Sequence, residues 1–461
     1  MTERFSHRTL LTSIALVLCA QAALAQPTPA PAPTPEPAAE AAPVVAPTPE
    51  PAPLVAPADE PEPAATYPAP ASGPSRPAVN PGLPSTDPNG DTVTPPVSKD
   101  FIEAKFGKGV TFQAADGAFK LQLRGRIQPR FTSSIPEGGD AINEFIIRRA
   151  RLAFNGRFLD AWELYLQLGL SVQDNEPDQY NPLRDATITY AGLRDVVVRA
   201  GQMKVPFDRQ RMTSSSALEF ADRSIVMTEL TLDRDMGLQL FSEDLGGLGG
   251  VLGYNVGIFG GDGRNRRAEN AGLMWVARVW TSPFGEFDPG VEADFDRAKK
   301  FRLALGVAAA QNFMSVRARS TSSTTYENST FDYTHLTADL TIKCRGLFWL
   351  TEFLYRKADR PSNTVTVDGA DVTEYSRSAW GFFTQAGYMW NKHLETSARY
   401  GELRPLDPTD PTLIGQREVG GAVSWYFLKH DLKVQADYFY LPTLDTGAAT
   451  HQLRLQSQLY F

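Results

Sequence analysis

The sequence predicts an all-β fold: a transmembrane antiparallel β-barrel of about 16 strands. Three observations lead there. Short segments repeat a period-two alternation of apolar and polar residues, an export signal opens the chain, and the last segment is amphipathic and ends on Phe461. No stretch after the first 25 residues approaches the 18 or more consecutive apolar residues of a membrane-spanning helix.

The alternation is plainest at 119–131. Phe119, Leu121, Leu123, Gly125, Ile127, Pro129 and Phe131 share one face, and Lys120, Gln122, Arg124, Arg126, Gln128 and Arg130 the other. A strand that is apolar on one side and cationic on the other suits a wall with lipid outside and water inside. The pattern returns at 162–172, 336–343 and 432–440, and turn-rich breaks such as EGGD at 137–140, GGDGRN at 260–265 and DPTDPT at 407–412 separate the runs. Candidate strands lie near residues 119, 145, 162, 185, 196, 236, 250, 273, 301, 335, 347, 379, 394, 417, 432 and 452. Sixteen strands enclose an aqueous lumen, whereas eight are filled by side chains. Trp162, Trp275, Trp280, Trp349, Trp380, Trp425 and Tyr426 are expected to form the aromatic girdles at the membrane interfaces.

The chain divides into three segments. Residues 1–25 read as a secretory signal peptide: Arg4 and Arg8 precede an apolar run from Leu10 to Ala20, and Ala23-Leu24-Ala25 provides the small residues before a cut. Residues 26–98 are a Pro/Ala-rich linker, with 23 of the 35 prolines between Pro27 and Val97. Such a segment buries little and lacks backbone donors, so a disordered, semi-extended tether on the periplasmic side is expected, one that could contact the cell wall. Residues 99–461 hold the barrel. Cys344 is the only thiol left after cleavage, so no intrachain disulfide is available.

Formal charge is −8 overall, +1 in the signal peptide and −7 in the linker, leaving −2 for the barrel. A near-neutral sum argues against nucleic acid as a partner. The charge is segregated, however. Arg124, Arg126 and Arg130 on one strand, with Arg149, Arg151 and Arg157 on the next, form a ladder of guanidiniums. Acids are expected in the connections: Glu137, Asp140, Asp174, Glu176, Asp178, Asp288, Glu292, Asp294 and Asp296. Each arginine admits two readings, an ion contact or a transverse pair that only braces the wall. The row as a group points to an electrostatic role, since fixed guanidiniums in a low-dielectric channel attract anions and repel cations.

Two stretches, FIIRRARLAFNG at 145–156 and RAGQMKVPFDRQRMTSSSALEFADRS at 199–224, resemble the phosphate-selective porin O and P family. The resemblance implies a homotrimeric, sixteen-stranded outer-membrane barrel whose long third loop folds into the lumen, here within Lys204–Arg234, a basic segment holding Lys204, Arg209, Arg211, Arg223 and Arg234. It also implies an anion pathway that includes the pair Arg148 and Arg149, the basic residue Arg211 before the Thr-Ser-Ser run, Arg223, and a constriction carboxylate at Asp185. Arg151 and Tyr165 depart from the pattern of phosphate-specific members.

Other chemistry finds no motif. The glycines at 246–263 contain no phosphate-binding loop, Ser214–Ser216 lack a nucleophile elbow, and His335, His393, His430 and His451 stand singly without a metal-ligand cluster. The expectation is a channel and not an enzyme, without cofactor or metal, that passes small inorganic anions, phosphate or polyphosphate among them, across the outer-membrane lipid through an arginine-lined lumen. The alternatives are a general or cation-selective porin, and a tether without selective transport.

Overall fold

A computed structural model of the chain describes residues 101–175, 180–267, 270–285 and 290–461, together with a two-residue pairing of Ser85–Thr86 with Thr92–Val93. The expected signal peptide and the rest of the Pro/Ala-rich segment lie outside the described residues, as do Glu176, Asp178 and Asp288.

Sixteen antiparallel strands close into a barrel. They are β1 (Phe119–Pro136), β2 (Ile142–Phe158), β3 (Trp162–Gly169), β4 (Leu183–Tyr190), β5 (Val197–Lys204), β6 (Arg234–Ser242), β7 (Leu252–Phe259) and β8 (Met274–Thr281). Then follow β9 (Arg302–Ser315), β10 (Phe331–Cys344), β11 (Leu347–Ala358), β12 (Ala379–Met389), β13 (Leu394–Pro405), β14 (Gln416–Leu428), β15 (Leu432–Pro442) and β16 (Ala449–Tyr460). β16 pairs with β1 from Thr450↔Pro136 to Tyr460↔Arg126, which joins the two ends of the sheet. A closed sheet leaves no strand edge, so backbone N–H and C=O groups are satisfied within the hydrocarbon layer.

Each strand is two-faced because its side chains alternate. On β1, Arg126, Gln128 and Arg130 are buried inside while Ile127 and Pro129 are exposed outside. On β14, Val423, Trp425 and Phe427 face outward, and Ser424 and Tyr426 inward. Trp162, Trp275, Trp349 and Trp425 lie on the outer surface as a girdle requires. Tyr426 does not: neighbours on a strand point to opposite faces, so Trp425 outside places Tyr426 inside, where its hydroxyl donates to Glu395.

Besides the short Ser85–Thr86 pairing, two hairpins lie beyond the sixteen among the described residues. Phe101–Lys105 and Gly109–Gln113 form one, which pairs with Lys120–Leu123 at the base of β1, below the stretch that β16 occupies. Ser362–Val367 and Ala370–Tyr375 form the other, between β11 and β12. At the rim where Phe461 ends, most connections are short, as at 159–161, 345–346 and 429–431. The opposite rim carries longer loops, including 205–233 (L3), 316–330 (L5) and 359–378 (L6). Short turns on the inner side and long loops outside are the usual arrangement of outer-membrane barrels.

L3 occupies the lumen. It contains two short helices, α1 (Arg209–Met212), capped by the Asp208 side chain on the Arg211 N–H, and α2 (Ile225–Leu230), capped by Ser224 on the Val226 N–H. Its apolar residues Val205, Phe207, Val226, Leu230 and Leu232 are fully buried against inward-facing Phe348, Leu350 and Leu354 of β11 and Phe383 of β12. One side of the lumen is therefore an apolar seat for L3. The loop on the Phe461 rim between β8 and β9, residues 282–301 (T4), departs from the short-turn rule and reaches L3: the Glu292 N–H donates to Ala217 O at 2.9 Å.

Gly201, on the strand that delivers L3, adopts φ +125°, and a Cβ there would lie 2.1 Å from the Ala186 carbonyl oxygen of the neighbouring strand. Only glycine fits both constraints. Gly201→Ala is expected to destabilise the barrel by roughly 1–3 kcal/mol, read as a lower temperature for loss of the compact, fast-migrating band on an unheated gel. An unchanged transition would contradict this account.

Candidate functional site

The arginines come together because of one irregularity in β2. The register slips between the pairs Gln128↔Arg149 and Pro129↔Ile147, leaving Arg148 as an extra residue. In a regular strand adjacent residues point apart, but this bulge turns both Arg148 and Arg149 inward, where they are fully buried. Arg126 of β1 stands opposite Arg151 of β2, so cations line both sides of the β1–β2 seam.

L3 delivers a carboxylate into this cluster. Asp222 accepts from Arg149 at 2.9 Å, Arg148 at 3.4 Å and Arg130, and Arg454 of β16 stands 4.0 Å away. Burial alone would raise the Asp222 carboxyl, but Arg130, Arg148, Arg149 and Arg454 overcome it and hold it well below the usual range. Main-chain oxygens of the same segment are also taken: Ala221 O by Arg130 at 2.7 Å, and Asp222 O by Arg399 at 3.1 and 3.0 Å. Arg454 has its own partner in Asp437, at 2.7 and 2.9 Å.

Asp174, from the connection between β3 and β4, turns inward as well. It accepts from Arg151 Nε at 2.9 Å and Ser171 Oγ at 2.8 Å, with Arg184 at 3.4 Å. Six guanidiniums (Arg130, Arg148, Arg149, Arg151, Arg184 and Arg454) are thus held by three carboxylates, Asp174, Asp222 and Asp437. This corrects the expected segregation of charge. Arg126, Arg130, Arg149 and Arg151 of the ladder are buried while Arg157 stays exposed, and Asp174 and Glu292, which belong to connections, fold back into the interior, where they are fully buried.

The remaining candidates are scattered around this centre. Arg124 lies near the Phe461 rim, 3.6 Å from Asp431 with its guanidinium 4.5 Å over the Tyr460 ring. Arg126 donates to Ser215 Oγ of L3 at 3.0 Å. Lys204 donates to Met212 O at 2.8 Å, Arg223 to Gln210 O at 2.7 Å, and Arg211 pairs with Asp233, so these three brace L3. Arg209 lies 3.8 Å from Asp339. Asp185 is held by both forks of Arg234, at 3.0 and 2.7 Å, with both its oxygens engaged. The arrangement matches a transverse brace at the base of L3 and leaves neither oxygen turned to a passing anion.

A second buried group, acidic and without a signal in the sequence, gathers Glu219 of L3, Glu292 of T4 and Glu395 of β13. Glu292 accepts from the Glu219 N–H at 2.9 Å, Gln210 Nε2 at 3.1 Å and Gln385 Nε2 at 2.8 Å. Burial, and then the neighbouring Glu395 and Glu292, push the Glu219 carboxyl well above its ordinary value, which lessens its negative charge. At the Phe461 rim a cavity of about 270 Å³ is lined by Lys108, Lys300, Arg302, Lys343 and Lys429 against Asp294, Asp296 and Asp431. Among the described residues no group of three or more His, Cys, Asp or Glu side chains has the geometry of a metal site.

A closed sixteen-stranded barrel, apolar outside and charged inside, with a loop seated in its lumen, defines an outer-membrane porin. More narrowly, residues 121–461 match the family described as phosphate-selective porin O and P, and the chain belongs to that family of channels. A sequence comparison with curated proteins finds no match. Among solved structures, OmpF of Salmonella typhi in complex with daunomycin is similar at 13% identity, over 75% of this chain and 98% of that one, with a TM-score of 0.50. An anion-selective porin from Comamonas acidovorans is similar at 12% identity, over 74% of this chain and all of that one, with a TM-score of 0.49. At such identities the likeness concerns the fold.

Proposed function

We propose that the protein passes small inorganic anions, phosphate among them, by passive diffusion along the arginine-lined side of the lumen, and that it does so as a homotrimer in the outer membrane of a Gram-negative cell. The observation that carries this reading is the ratio along the wall formed by β16, β1, β2 and β4, where six guanidiniums share three carboxylates. Guanidinium is always charged, binds oxyanions through a planar fork and sheds water more readily than ammonium. Conduction needs sites that admit an ion yet release it, and several shared arginines meet that need better than one tight site. The buried acids Glu219, Glu292 and Glu395 offset this field only in part, because burial favours the neutral form of Glu219. The cationic cavity at the Phe461 rim extends the same preference to the mouth. Phosphate as a cargo is supported by the family.

Planar-bilayer recording in a KCl gradient tests the reading. The expected reversal potential is that of an anion-selective pore, and added phosphate should block chloride current. A cation-selective reversal would refute it in favour of a general or cation-selective porin, and the absence of any single-channel steps would favour a tether.

A further inference from the structure

We propose that Asp222 is a tethered counter-ion: its carboxylate fills the seat that a permeating dianionic oxyanion takes, and L3 yields that seat when the anion enters. The proposal rests on the anion reading above and adds the residue that regulates it. Four guanidiniums from three strands, Arg130 of β1, Arg148 and Arg149 of β2 and Arg454 of β16, converge on this one carboxylate. The wall orients three of them without it. Arg130 Nε donates to Gln456 Oε1 at 3.0 Å, Arg149 Nη1 to Gln128 Oε1 at 2.9 Å, and Arg454 is gripped by Asp437. The seat therefore keeps its shape when the carboxylate leaves.

L3 is also anchored without the Asp222 side chain. Leu218 O accepts from Lys433 Nζ at 2.9 Å, Glu219 O from Gln435 Nε2 at 2.8 Å and Ser424 Oγ at 3.1 Å, and Asp222 O from Arg399. The side chain can swing out while its loop stays docked. Charge decides which anions displace it. Asp222 brings one negative charge and two oxygens. A tetrahedral dianion, phosphate or sulfate, brings two charges and more acceptors, so it gains more from four forks. Chloride brings one charge and no fork, and competes poorly.

The test is single-channel recording of the full-length protein and Asp222→Asn, with phosphate and, separately, sulfate titrated against chloride current. Asp222→Asn is expected to lower the half-blocking concentration of both dianions at least ten-fold. An unchanged or higher value, in a channel that stays anion-selective, overturns the tethered counter-ion and leaves the anion reading standing. Cation-selective reversal in the unmodified protein overturns the anion reading itself. A response to only one of the two dianions overturns recognition by charge and tetrahedral shape. Should Asp222→Asn give no folded barrel, Arg454→Gln leaves L3 its three nearer arginines. Half-block should then weaken at least three-fold, because a dianion loses more than a monoanion when one cation goes, and an unchanged value overturns the proposal.

Discussion

Arg149→Glu is expected to abolish most of the anion preference of the channel and to loosen L3 from the wall. Arg149 is fully buried between Gln128 and Asp222, so the substitution places a second carboxylate beside the first with no water to screen either. Breaking a buried ion pair by removing one partner costs on the order of 3–5 kcal/mol, and like charges in contact add to that. Two measurements report it: the reversal potential in a KCl gradient should move toward the cation side, and the folded barrel should lose heat resistance on gels. Arg157→Glu is the comparison. Arg157 lies on the same strand and the same face, but it is exposed, and its guanidinium donates to Asp160 O at 3.2 Å opposite Glu163 of β3. A surface change of this kind should stay within about 0.5 kcal/mol. If the two variants shift the reversal potential equally, general surface charge and not the buried cluster sets selectivity.

The contrast between those arginines marks what sequence could disclose. Every candidate strand start lies within four residues of an observed one, because water on one side and lipid on the other impose alternation on each strand separately. Arg126 and Arg130 were legible as lumen-facing for the same reason. The bulge that turns both Arg148 and Arg149 inward was not, since nothing in the order of β2 distinguishes an extra residue from a regular one. Asp222 carries no local signal although it adjoins Arg223, because its partners Arg130 and Arg454 are brought to it only by barrel closure and the return of L3. Asp174 and Glu292 do lie in connections, but alternation locates a connection and is silent on whether it stays at the rim. The resemblance implies a constriction carboxylate at Asp185, whereas its partner Arg234 begins the strand after L3, beyond any local pattern.

Glu229→Gln is expected to unlatch L3 and widen the pore. The Glu229 carboxylate, in the last turn of α2, is gripped by Arg319 of L5 at 2.9 Å, Arg356 of β11 at 2.6 Å and Arg377 of L6 at 2.8 Å. It is the common partner of three guanidiniums from three elements. The neutral amide leaves those cations together without their shared anion, and a loss of about 3–5 kcal/mol follows from breaking such a buried set. Single-channel current should become larger and noisier, and protease should reach L3 sooner. Unchanged current and protease resistance would mean that the apolar seat of α2 holds the loop without the latch. Acid provides a second reading on the unmodified protein. Burial alone would raise the Glu229 carboxyl, but Arg319, Arg356 and Arg377 overcome it and hold it at about 2. A free glutamate titrates near pH 4.3. Because the folded value is the lower one, the latch contributes its full stabilisation above about pH 4.3, loses it progressively below that, and opens only as pH falls through about 2. Conductance should therefore keep its neutral-pH value at about pH 3.5, where a free carboxyl is mostly protonated, and rise only nearer pH 2, whereas Glu229→Gln should show the wide state throughout. A rise centred near pH 4 in the unmodified channel would show that the three arginines do not hold this carboxylate as a set.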